Sequence, residues 1–583
     1  LFKTTDGGET WTNVLETDEW TGVTSLVIDS TNPDKLYAAT WQRQRTLPAF
    51  VGTGPGSAIH TSEDGGETWR KLTNGLPEAD MGKIGLAISK LDPDVVYAAI
   101  ELNQRKGGVY RSANQGASWE KMSDEVGGGT GPHYYQEMFA DPHRFDRIYM
   151  VSNYSKYSDD GGKTWTPFNL KNKHVDDHAM AFHPTDKNFM LVGSDGGVYE
   201  TRDDMKKWRF QGNLPIAQFY KIAVDDSKPF YYVYGGTQDN SSQGGPSRTT
   251  KEHGIKNNDW FLILWGDGHQ PATEPGNPDI VYGQWQQGNL ARYHRKTGEI
   301  VFIQPQAKPD EPAERYNWDA PILVSNHDPK RLYHASQRLW RSDDRGNSWR
   351  AISGDLTKDQ NRMHMPVMDR TWSVNSGLDL YAMSNFNTIA NIAESPLDPD
   401  LLYAGTDDGL IQVSSNGGED WIKYEIGKIK GIPDTAYIND IRADLFDKDT
   451  VYAALDDHKQ GDYKPYLIKS TNQGKSWKSI TSNLPDKHLV WRIVQDHVNQ
   501  DLLFVGTEFG LFFTVDGGKE WIELTGGIPT ISFRDVKIQR RENDLVAGSF
   551  GRGIYILDDF SPLRNINSES LKQEALLFPS RDA

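Results

Sequence analysis

Apolar and polar residues alternate along this chain in short runs, and helical spacing of apolar positions is weak throughout. Runs such as VTSLVID (23–29) and KIGLAIS (83–89) keep an apolar face for a few residues and then stop. A polar turn follows, often carrying Asp or Pro. A second run, rich in β-branched and aromatic residues, comes next: NPDKLYAAT (32–40), DPDVVYAAI (92–100), NPDIVYGQW (277–285), DPDLLYAGT (398–406) and KDTVYAAL (448–455). Gly, Asp and Asn punctuate the chain at short spacing. The pattern predicts repeated units of strand, turn, strand, loop, strand, turn, strand.

The last turn of each unit carries its own signature, Ser/Thr-x-Asp/Asn-x-Gly-x-Ser/Thr-Trp with local variation. It appears as TTDGGETW ending at Trp11, SEDGGETW at Trp69, SANQGASW at Trp119 and SDDGGKTW at Trp165. It returns as SDDRGNSW at Trp349, SSNGGEDW at Trp421, STNQGKSW at Trp477 and TVDGGKEW at Trp521, with a degraded copy, TRDDMKKW, at Trp208. These boxes hold nine of the 18 tryptophans, so half of the tryptophan content belongs to the repeat. In each, the Asp or Asn side chain is suited to accept backbone N–H groups of the turn. Glycine supplies the left-handed backbone, and Trp packs between sheets. The boxes are therefore structural, and no catalysis is assigned to them.

From Trp69 to Trp208 successive boxes lie 50, 46 and 43 residues apart, the period of a four-stranded propeller blade. The 141 residues between Trp208 and Trp349 have room for two blades without boxes, in the region of 216–305. Blade starts are expected near residues 21, 82, 133, 177, 216, 265, 318, 388, 435, 488 and 531, after an opening half-blade. The predicted fold is all-β, two tandem seven-bladed β-propellers. Residues 1–211 form the first, partial at about four and a half blades, and 212–560 the second. The last blade shows three strands, and a fourth is expected from elsewhere in the chain. Residues 561–583 read as a linker. The opening Leu1-Phe2-Lys3 reads as the interior of a longer protein, with additional domains expected at both ends.

Composition narrows the partners. A net charge of −18 disfavours a nucleic-acid ligand, and no local basic patch offsets it. The absence of cysteine excludes disulfides, thiolate metal sites and thiol nucleophiles. No run of 18 apolar residues is present, so no membrane-spanning helix is expected.

The box pattern resembles the bacterial neuraminidase repeat, or Asp-box, of sialidases, two-propeller xyloglucan hydrolases, sortilin-type receptors and a photosystem assembly factor. Residues 1–560 resemble large bacterial proteins labelled glycosyl hydrolase or sortilin-like, with blocks such as GGTQDN (235–240), GPSRTT (245–250), GTDDGLIQV (405–413), DHVNQDLLFVGTEFG (496–510) and GSFGRGIYILDD (548–559). The resemblance implies a periplasmic, secreted or cell-surface bacterial protein. It also implies either of two functions. One is a glycoside hydrolase acting on a polysaccharide in a cleft between two propellers, with one carboxylate as acid and one as base. The other is a non-catalytic propeller that binds protein, peptide or glycan. The Arg-Ile-Pro motif of sialidases is absent, and only Arg492 and Arg534 resemble funnel arginines.

Candidate sites belong at the starts of first strands and on the loops after second strands, which face a propeller's funnel. KHVDDHAMAFHP (173–184) carries His174, Asp176, Asp177 and His178; on an extended strand His174, Asp176 and His178 share one face and Asp177 takes the other. This cluster suits a metal, a hydrogen-bonded funnel group or a substrate site. The boxless blades offer Asp239, Asp267 and His269. Further on are Trp318 and Asp319, Asn439 and Asp440, Asp407 and Asp408, His458 on a long inserted loop, Trp491 and Arg492, and Arg534 and Asp535. Asp176, Asp267 and Asp440 are the candidate catalytic carboxylates. His174, His178, Asp239, His269, Trp318, Asp319, Trp491, Arg492 and Arg534 are the candidate substrate contacts, flat aromatics being suited to the apolar faces of sugars. No cofactor or metal is assigned.

Overall fold

The computed structural model describes residues 1–128, 134–381, 383–567 and 569–578. The chain is all-β. Its described residues form antiparallel sheets, mostly of four strands in sequential order, joined by turns and a few single-turn 3-10 segments. First strands begin within four residues of the expected positions, with two exceptions. The expected start near 265 falls in a loop, and the strand there begins at Ala272. The expected start near 133 lies outside the described residues, and that sheet's first strand is Glu137–Ala140.

The boxes close the outer hairpins by the predicted bonds. Ser470 Oγ accepts the Gly474 N–H at 2.8 Å, and Asn472 Oδ1 accepts the Ser476 N–H at 2.9 Å. Gly474 sits at φ +82°, where a side chain would be strained. The degraded copy keeps the same bonds, from Met205 N–H to Thr201 Oγ1 (3.0 Å) and from Lys207 N–H to Asp203 Oδ1 (2.9 Å). It does so with Asp204 and Met205 at φ 59° and 63°, so the side-chain bonds hold the turn without glycine. The box tryptophans fill the space between sheets: Trp521 packs with Leu484, Val490, Leu503 and Phe512.

The chain divides into two compact units. The first comprises residues 1–214 and also 361–383. It contains the two-stranded pair Phe2–Lys3/Thr12–Asn13 and four-stranded sheets beginning at Thr21, Met81, Glu137 and Asp177. Segment 361–383, expected within 212–560, docks here because its apolar residues find cover. Val367 and Met368 cluster with Ala49 and Val51, and Trp372 and Leu378 pack against them. Asp379 N–H donates to Phe50 O at 2.9 Å, and the Asp379 carboxylate pairs with Arg105 at 3.1 Å. Beside this contact Glu101 is buried. Burial pushes its pKa up to about 8; its bond from the Lys83 N–H opposes the shift, and the Asp379 charge adds to it.

The second unit comprises residues 215–360 and 384–583. Seven sheets follow one another, with first strands Phe219–Val224, Ala272–Glu274, Ile322–Val324, Ile389–Glu394, Tyr437–Ala443, Val490–Gln495 and Phe533–Gln539. The seventh meets the first: Asp535 accepts the Ile222 N–H at 2.9 Å, Tyr231 donates to Asp544 at 3.0 Å, and Val546 packs with Phe219 and Ile222. Among the described residues the seventh sheet has three strands, and Ala217 O accepts the Gly551 and Gly553 N–H groups beside it. A channel of about 210 Å³ is lined by all seven first strands or the residues leading into them. Residues 561–567, expected to leave as a linker, instead continue the second unit. Phe560 is buried, and Arg564 forms a two-pronged ion pair with Asp496 at 2.7 and 2.8 Å.

Glu101 binds a proton more tightly in the folded protein than in the unfolded chain. Its contribution to stability is therefore complete below about pH 4 and is lost as pH rises toward 8. The melting temperature of Glu101→Gln is expected to fall less than that of the parent between pH 5 and pH 8. Parallel pH profiles would refute this assignment.

Candidate functional site

A recurring irregularity positions the candidate residues. In five of the seven first strands of the second unit, the register against the second strand slips by one residue near the start. The extra residues are Tyr220, Ala390, Asn439, Trp491 and Arg534. Such bulges re-aim side chains and end regular pairing. The residue after each bulge is polar, namely Lys221, Asn391, Asp440, Arg492 and Asp535. Each faces a small residue of the second strand: Gly236, Gly405, Ala454, Gly506 and Gly548 respectively. The glycines among these partners let the next segment approach closely: a Cβ at Gly405 would lie 2.5 Å from Ile438 and one at Gly506 2.5 Å from Phe533 O.

These post-bulge residues form a buried lattice. Arg492 donates to Asp440 at 2.7 Å and lies 2.8 Å from Asp535. Asp440 also pairs with Arg442 at 3.1 Å and accepts the Ile493 N–H at 3.1 Å. Asn391 bonds Asn439 O of the next sheet at 3.0 Å. Asp440 is wholly buried, so its geometry is that of an ion-paired strut between sheets, not of an exposed acid or base. Arg492 is likewise committed to two carboxylates. Both were candidates by position alone, and adjacency to Trp491 did not distinguish Arg492 from its neighbour.

The bulge residues themselves lie at one end of the channel, the mouth, with loop residues around them. The Arg534 guanidinium stacks 3.6 Å from the Trp491 ring centre and 4.5 Å from Phe550. Burial lowers its pKa. Trp491 donates to Glu508 at 2.9 Å. Tyr220 packs against Phe550 (5.6 Å) and His269 (4.7 Å), and His269 meets Trp318 edge-on at 5.9 Å. Asp319 pairs with Lys221 at 3.0 Å through one oxygen; its other oxygen is buried without a hydrogen-bond partner among the described residues. The sequence candidates Trp318, Asp319, His269, Trp491 and Arg534 thus come together. Asp267 and Asp239 join them: Asp267 accepts the Asp239 N–H at 3.3 Å, and their charges reach the Tyr220 hydroxyl.

His269 is fully buried, and both ring nitrogens lack a hydrogen-bond partner among the described residues. Burial brings its pKa down to about 4, so it is neutral at physiological pH. Its placement depends on Gly236, where a Cβ would lie 1.9 Å from His269 O.

On the opposite side of the mouth, Tyr437 is raised well above its ordinary pKa by burial and by the charges of Asp407, Asp319 and Asp456. Asp407 is buried, accepting the Thr388 N–H (2.8 Å) and hydroxyl (2.7 Å); burial and the Asp408 charge push it up to about 7. Asp456 binds the His458 ring, which lies 5.9 Å edge-on from Trp491. Sequence reasoning missed Tyr220, Tyr437, Asp456 and Glu508. A signal existed: Gln238, Asp407 and Glu508 each follow a Gly-Thr pair at a second-strand end.

The first unit holds the other candidates. Asp177 turns inward, pairing with Lys173 and accepting from Ser155 at 2.6 Å. Asp176, at φ 63°, accepts the Tyr135 hydroxyl at 2.8 Å, and His178 stacks on the Tyr135 ring at 5.1 Å. His178 is the bulge residue of its strand, and its bond to Asp195 (2.8 Å) raises its pKa. His174 bonds Val175 O at 2.8 Å.

A family model described as Sortilin-Vps10 (sortilin, neurotensin receptor 3) matches residues 107–243. Xyloglucanase Xgh74A of Acetivibrio thermocellus is 24% identical over 365 residues, covering 59% of this chain and 34% of that protein. Parts of this chain are thus similar to the sortilin family model and to xyloglucanases. The oligoxyloglucan-reducing end-specific xyloglucanase of Emericella nidulans is 22% identical over 363 residues, 57% of this chain and 40% of that protein. The chain thus spans roughly a third of the length of the curated relatives it matches. Among solved structures, a GH74 enzyme of Niastella koreensis aligns over 94% of this propeller chain and 92% of its own, at 12% identity and a TM-score of 0.30. No helix among the described residues is long and apolar enough to cross a membrane.

The two arginines of this Asp-box propeller should separate in a stability measurement. Arg492→Met leaves Asp440 and Asp535 buried without their shared cation, at a cost of about 3–5 kcal/mol. Arg534→Met removes a cation stacked on rings, worth about 2 kcal/mol or less. Urea melts are expected to rank Arg492→Met well below Arg534→Met, and equal losses would contradict the division between strut and mouth.

Proposed function

We propose that this chain is a glycan-active protein of the glycoside-hydrolase type, with the channel mouth of the second unit as its carbohydrate-contacting surface. We read that unit as a seven-bladed ring and the first unit as an arc of the same kind of blades. The observation that supports the reading is the convergence, at one end of the channel, of Trp318, Trp491, Tyr220 and Phe550 with Asp319, Asp407 and Glu508. Aromatic rings suit sugar faces, and glycoside hydrolysis needs two carboxyl groups in different protonation states. Asp319, paired with Lys221 at 3.0 Å, is the candidate base or nucleophile. Asp407, pushed up to about 7, is the group held protonated up to neutral pH. Xyloglucan is the first substrate to test, because the curated relatives are named for it. A secreted or cell-surface location fits the same reading, and Asp176 and Asp267 remain secondary catalytic candidates.

Binding without turnover is the second reading. It is favoured by how fully the carboxylates are already engaged: Asp407 by Thr388, Asp456 by His458 and Glu508 by Trp491. Under that reading the mouth holds a glycan or a peptide and performs no chemistry.

The test is hydrolysis of a polysaccharide panel led by xyloglucan, with Asp319→Asn, Asp407→Asn, Asp176→Asn and Asp267→Asn. Asp319→Asn is expected to lower kcat by about 100-fold or more. A general acid must carry its proton, so parent activity should decline as pH rises through about 7, and Asp407→Asn should lose that limb. Full activity in both Asp319→Asn and Asp407→Asn would sink the assignment. Saturable glycan binding with no turnover by the parent would replace it with the second reading.

A further inference from the structure

The channel of the second unit has an electrostatic character opposite to that of the chain. The protein carries a net charge of −18, yet every charged residue lining the channel is a cation: Arg442, Arg492 and Lys537. Two carboxylates, Asp440 and Asp535, stand behind them in the lattice. Arg492 is divided between both. Arg442 reaches Asp440 through Nε at 3.1 Å. Lys537 has one ion-pair contact among the described residues, Asp535 at a long 3.7 Å. Three cations against two anions leave one positive charge without a carboxylate partner, on the part-buried side chains of Arg442 and Lys537. Even part-buried charge without a counter-charge carries a desolvation cost.

The other surroundings do not supply that counter-charge. At the mouth end, Lys221 and Asp319 already neutralise one another. The remaining channel wall is neutral, made of Gln270, Asn391, Thr273 and apolar side chains such as Ile222 and Ile322. The Gln270 amide is taken by Ile322 O, and the Asn391 amide by Asn439 O. The charge excess therefore faces the cavity and not the protein behind it.

We infer that the channel of the second unit binds one small monovalent anion between Lys537 and Arg442. The cavity, at about 210 Å³, has room for a halide with a few waters. One negative charge balances the excess, and a second would exceed it. Burial draws the Lys537 ammonium down to about 8, with the Arg442 and Arg492 charges adding to the shift and Asp535 and Asp440 opposing it; a bound anion would raise it again. The site ties three neighbouring first strands together, Tyr437–Ala443, Val490–Gln495 and Phe533–Gln539, so occupancy stabilises this part of the unit.

An anion that binds only the folded state raises its stability in a saturable way. Melting temperature is measured at fixed ionic strength while chloride replaces gluconate, a bulky anion with a diffuse polar shell. The parent is expected to gain stability with chloride and to level off, and Lys537→Met to show a flat response. A parent curve indifferent to chloride, or a Lys537→Met curve that rises as much as the parent's, overturns the inference. Should Lys537→Met fail to fold, crystals of the parent soaked in bromide decide. An anomalous peak between Lys537 and Arg442 supports the site, and a channel without one refutes it. None of these outcomes depends on whether the mouth hydrolyses a glycan.

Discussion

No sheet in this protein can bury both of its own faces, and everything else follows from that constraint. In the second unit the sheets carry apolar residues on both sides and pack between two neighbours. The buried tyrosines of the second strands show how the junctions are made. Tyr149, Tyr234 and Tyr452 are lost to solvent between sheets, yet each hydroxyl donates to a carboxylate of the preceding turn, Asp141, Asp225 and Asp444. At these three junctions the ring is hydrophobic and its hydroxyl is still satisfied. In the second unit the last sheet must also meet the first, and Asp535 serves both that seam and the ion lattice through Ile222 and Arg492.

The bulge at the start of the first strands turns this architectural need into a site. It places two consecutive residues in different environments, one at the channel mouth and the next in the buried lattice. Trp491 and Arg492 are neighbours in sequence, but one ring stacks with Arg534 while the other side chain joins two sheets. A small residue on the second strand accompanies this, and at Gly405 and Gly506 a Cβ would collide with the next sheet's first strand, at Ile438 and at Phe533 O. The same glycine logic at Gly236 seats His269 against Tyr220. Specialisation of the mouth and stability of the ring are therefore carried by adjacent residues.

The excursion of 361–383 shows a second consequence of incomplete burial. Residues 361–383 belong to the first unit although the chain on either side of them belongs to the second. Val367, Met368 and Leu378 are covered there, beside the hairpin of Phe50 and Val51. The contact brings Asp379 next to Glu101, and the burial of that carboxyl makes the region responsive to pH.

The sequence by itself determined the all-β class, the blade period and the box turns, because alternation, Gly-Asp punctuation and side-chain-to-backbone bonds act within a few residues of one another. Even the degraded box at Trp208 was legible, since its Thr and Asp still supply the bonds. The candidate site was legible only as a set of polar residues at strand starts. Trp318, Asp319, His269, Trp491 and Arg534 belong to it. Asp440 and Arg492, also candidates by position, are engaged instead in the buried lattice. Tertiary structure alone decided between them, because a one-residue register slip is invisible in a single strand and exists only in the pairing of two. It also decided the charge of the channel, where residues from seven separate strands are summed at one place, and the docking of 361–383, which depends on where an apolar surface remains uncovered.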